Sequence, residues 1–438
     1  MSSPFQLTVT LEQHTPIIHF QHNQEGATLR ATEVKPKLDR FLIATVFNDT
    51  FDLFKTYLIG YDAQEEAKYV RENKVYRTKW AGKEAFNYKI KILNGTDKTE
   101  SIPDFINKKK KFETDLYPFV LANMGGQDDK NDLKNLKKFE TVDIIFHCLH
   151  TSLLKKIYNN IASFFLFHNF GNRQSKGFGS FYPFRKEKNS FIEPLELLQK
   201  SNKPIFYFTL PPNDTDKAVF EKADMVYRLL KAGFNFPDYK KDKEGKLDYG
   251  AERGEFEIYQ KSFIIDYFIK KFKIGSEKRA IKEKLFDPSL RISSDKSLIG
   301  GNQYVRAILG SAEFFEYKGK PRNGTVTVKS EEVDRFPSPI LFKIIDNSVY
   351  LIPGDWSEIK NTSFELNDGR NNPITIKVPN VSLDLKDLLQ NFTSHYNSIR
   401  IFELNRLFEI RRKGTRDFPF VVKTYMNCLE NVELQKLE

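Results

Sequence analysis

Cysteine is nearly absent. The 438-residue chain has two, Cys148 and Cys428, too few for a disulfide framework and not spaced as a Cys-x-x-Cys metal pair. Both stand among apolar neighbours and read as buried thiols in a reducing compartment. Long apolar runs are missing too. Stretches such as IASFFLF are far too short to span a bilayer, so no membrane partner is expected. The opening MSSPFQLTVTLEQ lacks a basic region followed by an apolar core, so it reads as no secretory leader, and a cytoplasmic protein is expected. No HExxH, GxSxG or Ser–His–Asp signature occurs, which leaves an ordinary hydrolase without support. Short-period repeats, coiled-coil heptads and low-complexity tracts are absent as well.

What is present is aromatic and basic. Forty phenylalanines and 40% hydrophobic residues supply material for packed cores, and the length suits two or three domains. Lys and Arg number 69 against 58 Asp and Glu, a balance of +11. Such a balance suits a polyanionic partner, or simply a soluble basic protein; charge alone does not choose.

Periodicity orders the first half. FQLTVTLEQ alternates as a strand. Leu38, Phe41, Leu42 and Val46 recur at helical spacing, and Pro36, which suits a first turn, places the helix start near residues 32–35. FNYKIKIL and FETVDIIFHCL read as strands. Leu153, Leu154, Ile157, Ile161, Phe164 and Phe165 form the apolar face of a second helix. GFGSFYPF reads as a last strand. Strand, helix, strand, strand, helix, strand is the ferredoxin-like order, which predicts an antiparallel sheet with helices on one face. Residues 94–138 are polar and weakly periodic and read as an insertion.

The second half carries KPIFYFTL as a strand. A helix follows, capped by Asp214 or Thr215 and closed by Gly233. IYQKSFIIDYFIKKF and EKRAIKEKLF read as helices, YVRAILG, VTVKS, SPILFKII and SVYLIP as strands, and SLDLKDLLQNFTSHY as a late helix. The fold class expected is α+β: two ferredoxin-like domains, 1–186 and 187–438, the second with helical insertions near 237–300.

One loop stands out. HNFGNRQSKGFGSFYPF places Gly171, Gly177 and Gly179 around Arg173 and Lys176. It is no P-loop, because Lys176 precedes Gly177 and no Ser or Thr follows the lysine as a magnesium ligand. It is no dinucleotide fingerprint, because it leaves a helix rather than opening one. What remains is a loop whose N–H groups and two cations suit phosphates, with Phe178 able to stack a base or to pack in the core. A plain helix-to-strand turn with solvated cations is the alternative.

Order and loop together resemble the RAMP superfamily of CRISPR-associated RNA-binding proteins. Two further segments are similar to the Cmr1-type subunit of type III-B (Cmr) effector complexes. The first is TPIIHF…ATLRATEVKPKLDRFL, with Thr15, Pro16, Leu29, Arg30, Lys35 and Arg40. The second is YVRAILGSAE…RFPSPILFKI, with Leu309, Gly310, Arg335, Ser338 and Pro339. Pro36 stands where that family usually has glycine. The resemblance implies a non-catalytic RNA-binding subunit that contacts guide (CRISPR) RNA, the region where target RNA pairs with it, or both, and docks on other RAMP subunits. It implies no cofactor and no metal. The RNA-binding residues expected are Arg30, Lys35, Lys37, Arg40, Gly171, Arg173, Lys176, Gly177, Phe178, Gly179, Arg306 and Arg335. If the first helix starts near Lys35, its dipole favours phosphate there.

Histidine carries the rival. RAMP-fold endoribonucleases that process CRISPR repeat RNA often use histidine as general acid or base, and His14, His19 and His22 cluster after the first strand. As metal ligands they lack a carboxylate or cysteine at convincing spacing. His147 and His150 read as structural, and His168 borders the glycine loop. Lys108 to Lys111 read as a solvated loop or an RNA-tracking stretch. Asp128, Asp129 and Asp132 read as a solvated acidic loop or a cation site.

Overall fold

The computed structural model describes residues 3–18, 28–98, 100–101, 135–136, 138–184, 191–201, 205–212, 214–236, 254, 256–286, 300–317, 324–413 and 418–437. The chain is α+β, with several small, mostly antiparallel sheets. It divides into two compact units. The first takes in Met1–Phe105, Met124–Asn202 and Lys343–Asp346; most of the second is Lys203–Phe342 and Asn347–Glu438.

The first unit is built on β1 (Gln6–Gln13), α1 (Ala31–Phe41), β2 (Lys89–Asn94), β3 (Thr141–His147), α2 (Thr151–Phe167) and β4 (Phe181–Pro183). Its sheet order is β2-β3-β1-β4, and every neighbouring pair is antiparallel. Register explains the alternation in sequence. Leu7 faces Phe146, Val9 faces Ile144 and Leu11 faces Val142 across β1 and β3, so one face of the sheet is apolar. Val34 and Leu38 of α1 and Leu153, Ile157, Ile161, Phe164 and Phe165 of α2 cover that face. Each fully buried side chain of this size contributes roughly 1.5–3 kcal/mol, enough to fix the register against a one-residue slip.

The first helix departs from expectation at its start. It begins at Ala31, with Arg30 as its N-cap residue. Pro36 therefore sits in the second turn, where its ring removes the hydrogen bond to the Thr32 carbonyl. The helix tolerates this because Val34 and Leu38, either side of the proline, are fully buried. A single wider π turn, Leu42–Val46, continues it. Short helices at Phe51–Phe54 and Ala63–Arg71 follow before β2; they carry no long periodic run that would announce them.

A second four-stranded sheet repeats the pattern. It uses β5 (Phe206–Thr209), β6 (Ile340–Ile345), β7 (Ser348–Pro353) and β8 (Gln435–Lys436), in the order β6-β7-β5-β8. The helix α3 (Asp216–Lys231) follows β5, and α4 (Leu385–Arg412) and α5 (Phe420–Asn431) lie between β7 and β8 in the chain. Thr215 caps α3, its hydroxyl accepting the Ala218 N–H at 3.3 Å. Gly233 follows the helix at φ +81°, the left-handed turn that ends helices.

Between α3 and β6 the chain adds the helix Phe263–Phe272 and strands of a further four-stranded sheet. YVRAILG is not a strand there. Val305–Leu309 forms a 3-10 turn whose Val305, Ala307, Ile308 and Leu309 are all buried. With every residue but Arg306 buried, so short a run gives no period to tell helix from strand. Among the described residues no helix is long and apolar enough to cross a membrane.

Candidate nucleic-acid interface

The glycine loop joins α2 to β4, as its sequence requires. Its first residue, His168, bends back on the helix, with Nδ1 2.8 Å from the Phe164 carbonyl oxygen. From there the loop lies along the segment after β1. The Asn172 N–H donates to the Ile18 carbonyl (2.7 Å) and the Gly179 N–H to the Pro16 carbonyl (2.8 Å). Thr15 ties both strands of the turn. Its hydroxyl donates to the Gly177 carbonyl at 2.7 Å and accepts the Ser180 N–H at 2.9 Å. The Thr-Pro pair is thus the platform on which the loop is laid.

Two glycines are sterically required. A Cβ on Gly179 would lie 1.9 Å from the Phe170 carbonyl oxygen, and one on Gly171 would lie 2.6 Å from that of Ile18. Both also hold positive φ. Arg173 adopts φ 56° without being glycine, a left-handed conformation that L-residues hold at a cost of about 1–2 kcal/mol. It opens the 3-10 turn Gln174–Lys176. Arg173 and Lys176 are half-buried. Phe178 is fully buried, so its ring has no solvent-facing side for a base.

A buried lysine holds the base of the loop. Lys343, 0% exposed, belongs to a segment counted with the first unit. Its ammonium donates to the His168 carbonyl (3.0 Å), the Asn169 side-chain oxygen (3.1 Å) and the Phe181 carbonyl (3.0 Å). Three donors meet three oxygens, one on each side of the loop and one inside it. Burial pushes the pKa of this amine well below the ordinary lysine value. Sequence reasoning passed over it, although a single lysine inside the apolar run SPILFKII was a visible signal.

The first helix lies against the same loop. Lys37 donates to the Asn169 carbonyl (3.1 Å) and the Gln174 side-chain oxygen (2.8 Å), and pairs with Glu33 at 2.8 Å. Its ammonium also sits 4.8 Å over the Phe170 ring, within cation–π range. Glu33 in turn accepts the Gly171 N–H through both carboxylate oxygens, at 2.9 and 3.1 Å. The helix N-terminus is at Arg30, not near Lys35, and the charged group in its first turn is the acid Glu33.

Lys35 points elsewhere. It pairs with buried Asp39 at 2.7 Å, donates to the Phe86 carbonyl and lies 4.0 Å over the Tyr88 ring. Burial pushes the Asp39 carboxyl up from its ordinary value, with Lys35 working against it. Arg40, in the last turn, is exposed. Tertiary structure therefore brings together Lys37, Gly171, Gly177 and Gly179 with the Arg173–Lys176 turn.

Two further candidates belong to the second unit, each in different surroundings. The Arg306 guanidinium pairs with Glu277, which is fully buried, and lies 4.8 Å over the Phe315 ring. Arg335 is 58% exposed and 3.5 Å from the Glu313 carboxylate.

Of the three histidines, His19 and His22 lie outside the described residues, as do Lys108 to Lys111 and Asp128, Asp129 and Asp132. His14 has two carboxylates beside it, Glu12 two residues back along the strand and Asp346, which no local spacing could announce. Its ligand atoms and those of Glu12 and Asp346 lie within 4.8 Å of one another, the group a cation would meet if one bound here. The His14 Nδ1 lone pair already accepts the Asp346 backbone N–H at 3.1 Å. That bond competes with metal ligation and with proton abstraction by this nitrogen.

The chain matches the family model of the Cmr1 N-terminal domain over residues 5–234 and that of the Cmr1 C-terminal domain over residues 259–414. No curated protein matches. Among solved structures, the crystal structure of Cmr1 from Pyrococcus furiosus in its apo form is similar. Identity is 13%, with 51% of this chain and 71% of that chain covered and a TM-score of 0.32.

Proposed function

The chain belongs to the Cmr1 family of type III-B RAMP proteins, whose two domain models together span most of it, and from that premise we propose that it is an RNA-binding subunit of a CRISPR effector complex. Its ligand is guide RNA, with target RNA as a further contact, and its protein partners are other RAMP subunits. It carries no nuclease activity of its own. The two sheets share one strand order, counted along the chain as second-third-first-fourth, which supports two ferredoxin-like units.

The observation that carries the reading is the convergence of α1 and the glycine loop. Lys37 bridges to Asn169 and Gln174, and the loop backbone is held open by glycines at positive φ. Cations gathered on a glycine-rich backbone suit a phosphate chain. Fully buried Phe178 argues that recognition runs through the backbone more than through base stacking on this loop.

Binding of single-stranded guide-length RNA, measured against salt, tests this. Affinity should fall steeply as salt rises, because each phosphate neutralised releases counterions. The double variant Arg173→Ala/Lys176→Ala should flatten that slope by about one to two units. Absent or salt-insensitive binding, alone and with partner subunits, would sink the reading. Specific cleavage of repeat RNA in EDTA, lost on His14→Ala, would replace it with the endoribonuclease.

A further inference from the structure

Glu33 contacts the loop where its backbone meets Lys37, and its position is that of a ligand. Its two oxygens accept a single backbone N–H, that of Gly171, at 2.9 and 3.1 Å, while Lys37 donates to one of them at 2.8 Å. A positive-φ backbone N–H paired with an ammonium is an anion seat. We propose that Glu33 is a built-in stand-in for phosphate: it fills this seat in the RNA-free protein, and a backbone phosphate of single-stranded RNA takes the seat by displacing it.

Three observations carry this. First, the bonds are of the kind a phosphate oxygen would make, charge-assisted and from two directions. Second, the seat is reachable: the Glu33 side chain is 22% exposed and that of Lys37 18%. Glu33 stands in the first turn of α1, where an acid remains favourable against the helix dipole after it swings away. Third, Asn172, next along the loop, has a buried side-chain NH2 that meets no acceptor among the described residues, so polar capacity beside Gly171 is left unfilled. The occupied seat keeps Lys37 paired until an anion displaces Glu33.

The proposal rests on the RNA-binding reading, and the test separates the two. RNA affinity of the wild type is compared with Glu33→Gln, which keeps the shape and one acceptor but removes the charge. The variant should bind about fivefold tighter, roughly one weak ion pair's worth. Unchanged or weaker binding by a folded variant overturns the proposal. A measurement on the wild type covers a variant that fails to fold. In glycine-labelled protein the Gly171 amide resonance should move as RNA or inorganic sulfate is added. An unmoved Gly171 amide at saturating RNA overturns the proposal while leaving RNA binding intact. If the wild type binds no RNA, the functional reading fails, and the sulfate titration alone decides the seat: movement supports it, none overturns it.

Discussion

Arg173 holds a left-handed backbone at φ 56° that glycine would hold without strain. Replacing it tests why arginine is there. Arg173→Gly should raise stability by about 1 kcal/mol and still weaken RNA binding several-fold, read by thermal melting and by RNA titration on the same samples. A loss of both would mean the side chain is structural. The two arginines of the second unit make the opposite comparison. Arg306→Ala leaves the fully buried Glu277 carboxylate without its partner and should cost about 3–5 kcal/mol of stability. Arg335→Ala breaks an exposed 3.5 Å pair and should cost under about 1 kcal/mol. Denaturant unfolding of the two variants side by side checks this.

At the scale of elements, the loop behaves as one piece because Lys343 clamps its two ends and Thr15 its turn. Lys343→Met fills the volume but removes the ammonium that donates to three oxygens, so it should cost about 2–4 kcal/mol and loosen the RNA contacts with it. The clamp has a pH signature. Burial holds the folded-state pKa of Lys343 well below 10.5. Between that depressed value and about 10.5 the unfolded chain therefore binds more protons than the folded one, and stability rises with pH. Below the depressed value both states carry the proton and the rise ends. The melting temperature of the wild type should accordingly gain more as the pH is raised towards 10.5 than that of Lys343→Met. Equal slopes would mean the amine is not desolvated as placed. The first helix shows the complementary point. Its two lysines each meet an acid four residues away, Lys37 with Glu33 and Lys35 with Asp39. Only Lys37 lies on the loop side, and no spacing rule distinguishes them.

For the whole molecule, much of the order of elements was legible. The alternation of β1 and β3 and the apolar stripes of α1 and α2 are period signals, and a sheet with one covered face obeys them. The cap at Thr215 and the turn at Gly233 are local chemistry, read directly. What failed was local as well: YVRAILG shows no period because every residue of its turn but Arg306 is buried, and the short helices before β2 are too brief to show one. The candidate site was legible only in its loop. Composition fixed the basic surplus, residue order excluded a nucleotide loop, and glycine spacing marked a close backbone approach, because those properties live in neighbouring residues. That Lys37 meets the loop while Lys35 meets Asp39, that Phe178 is core, that Lys343 reaches back over some 160 residues to hold the loop, and that Glu33 sits where an anion would, were decided by tertiary structure. Each depends on which residues distant in sequence are packed together, and hydrogen bonds and burial across such separations leave no periodic trace in the chain.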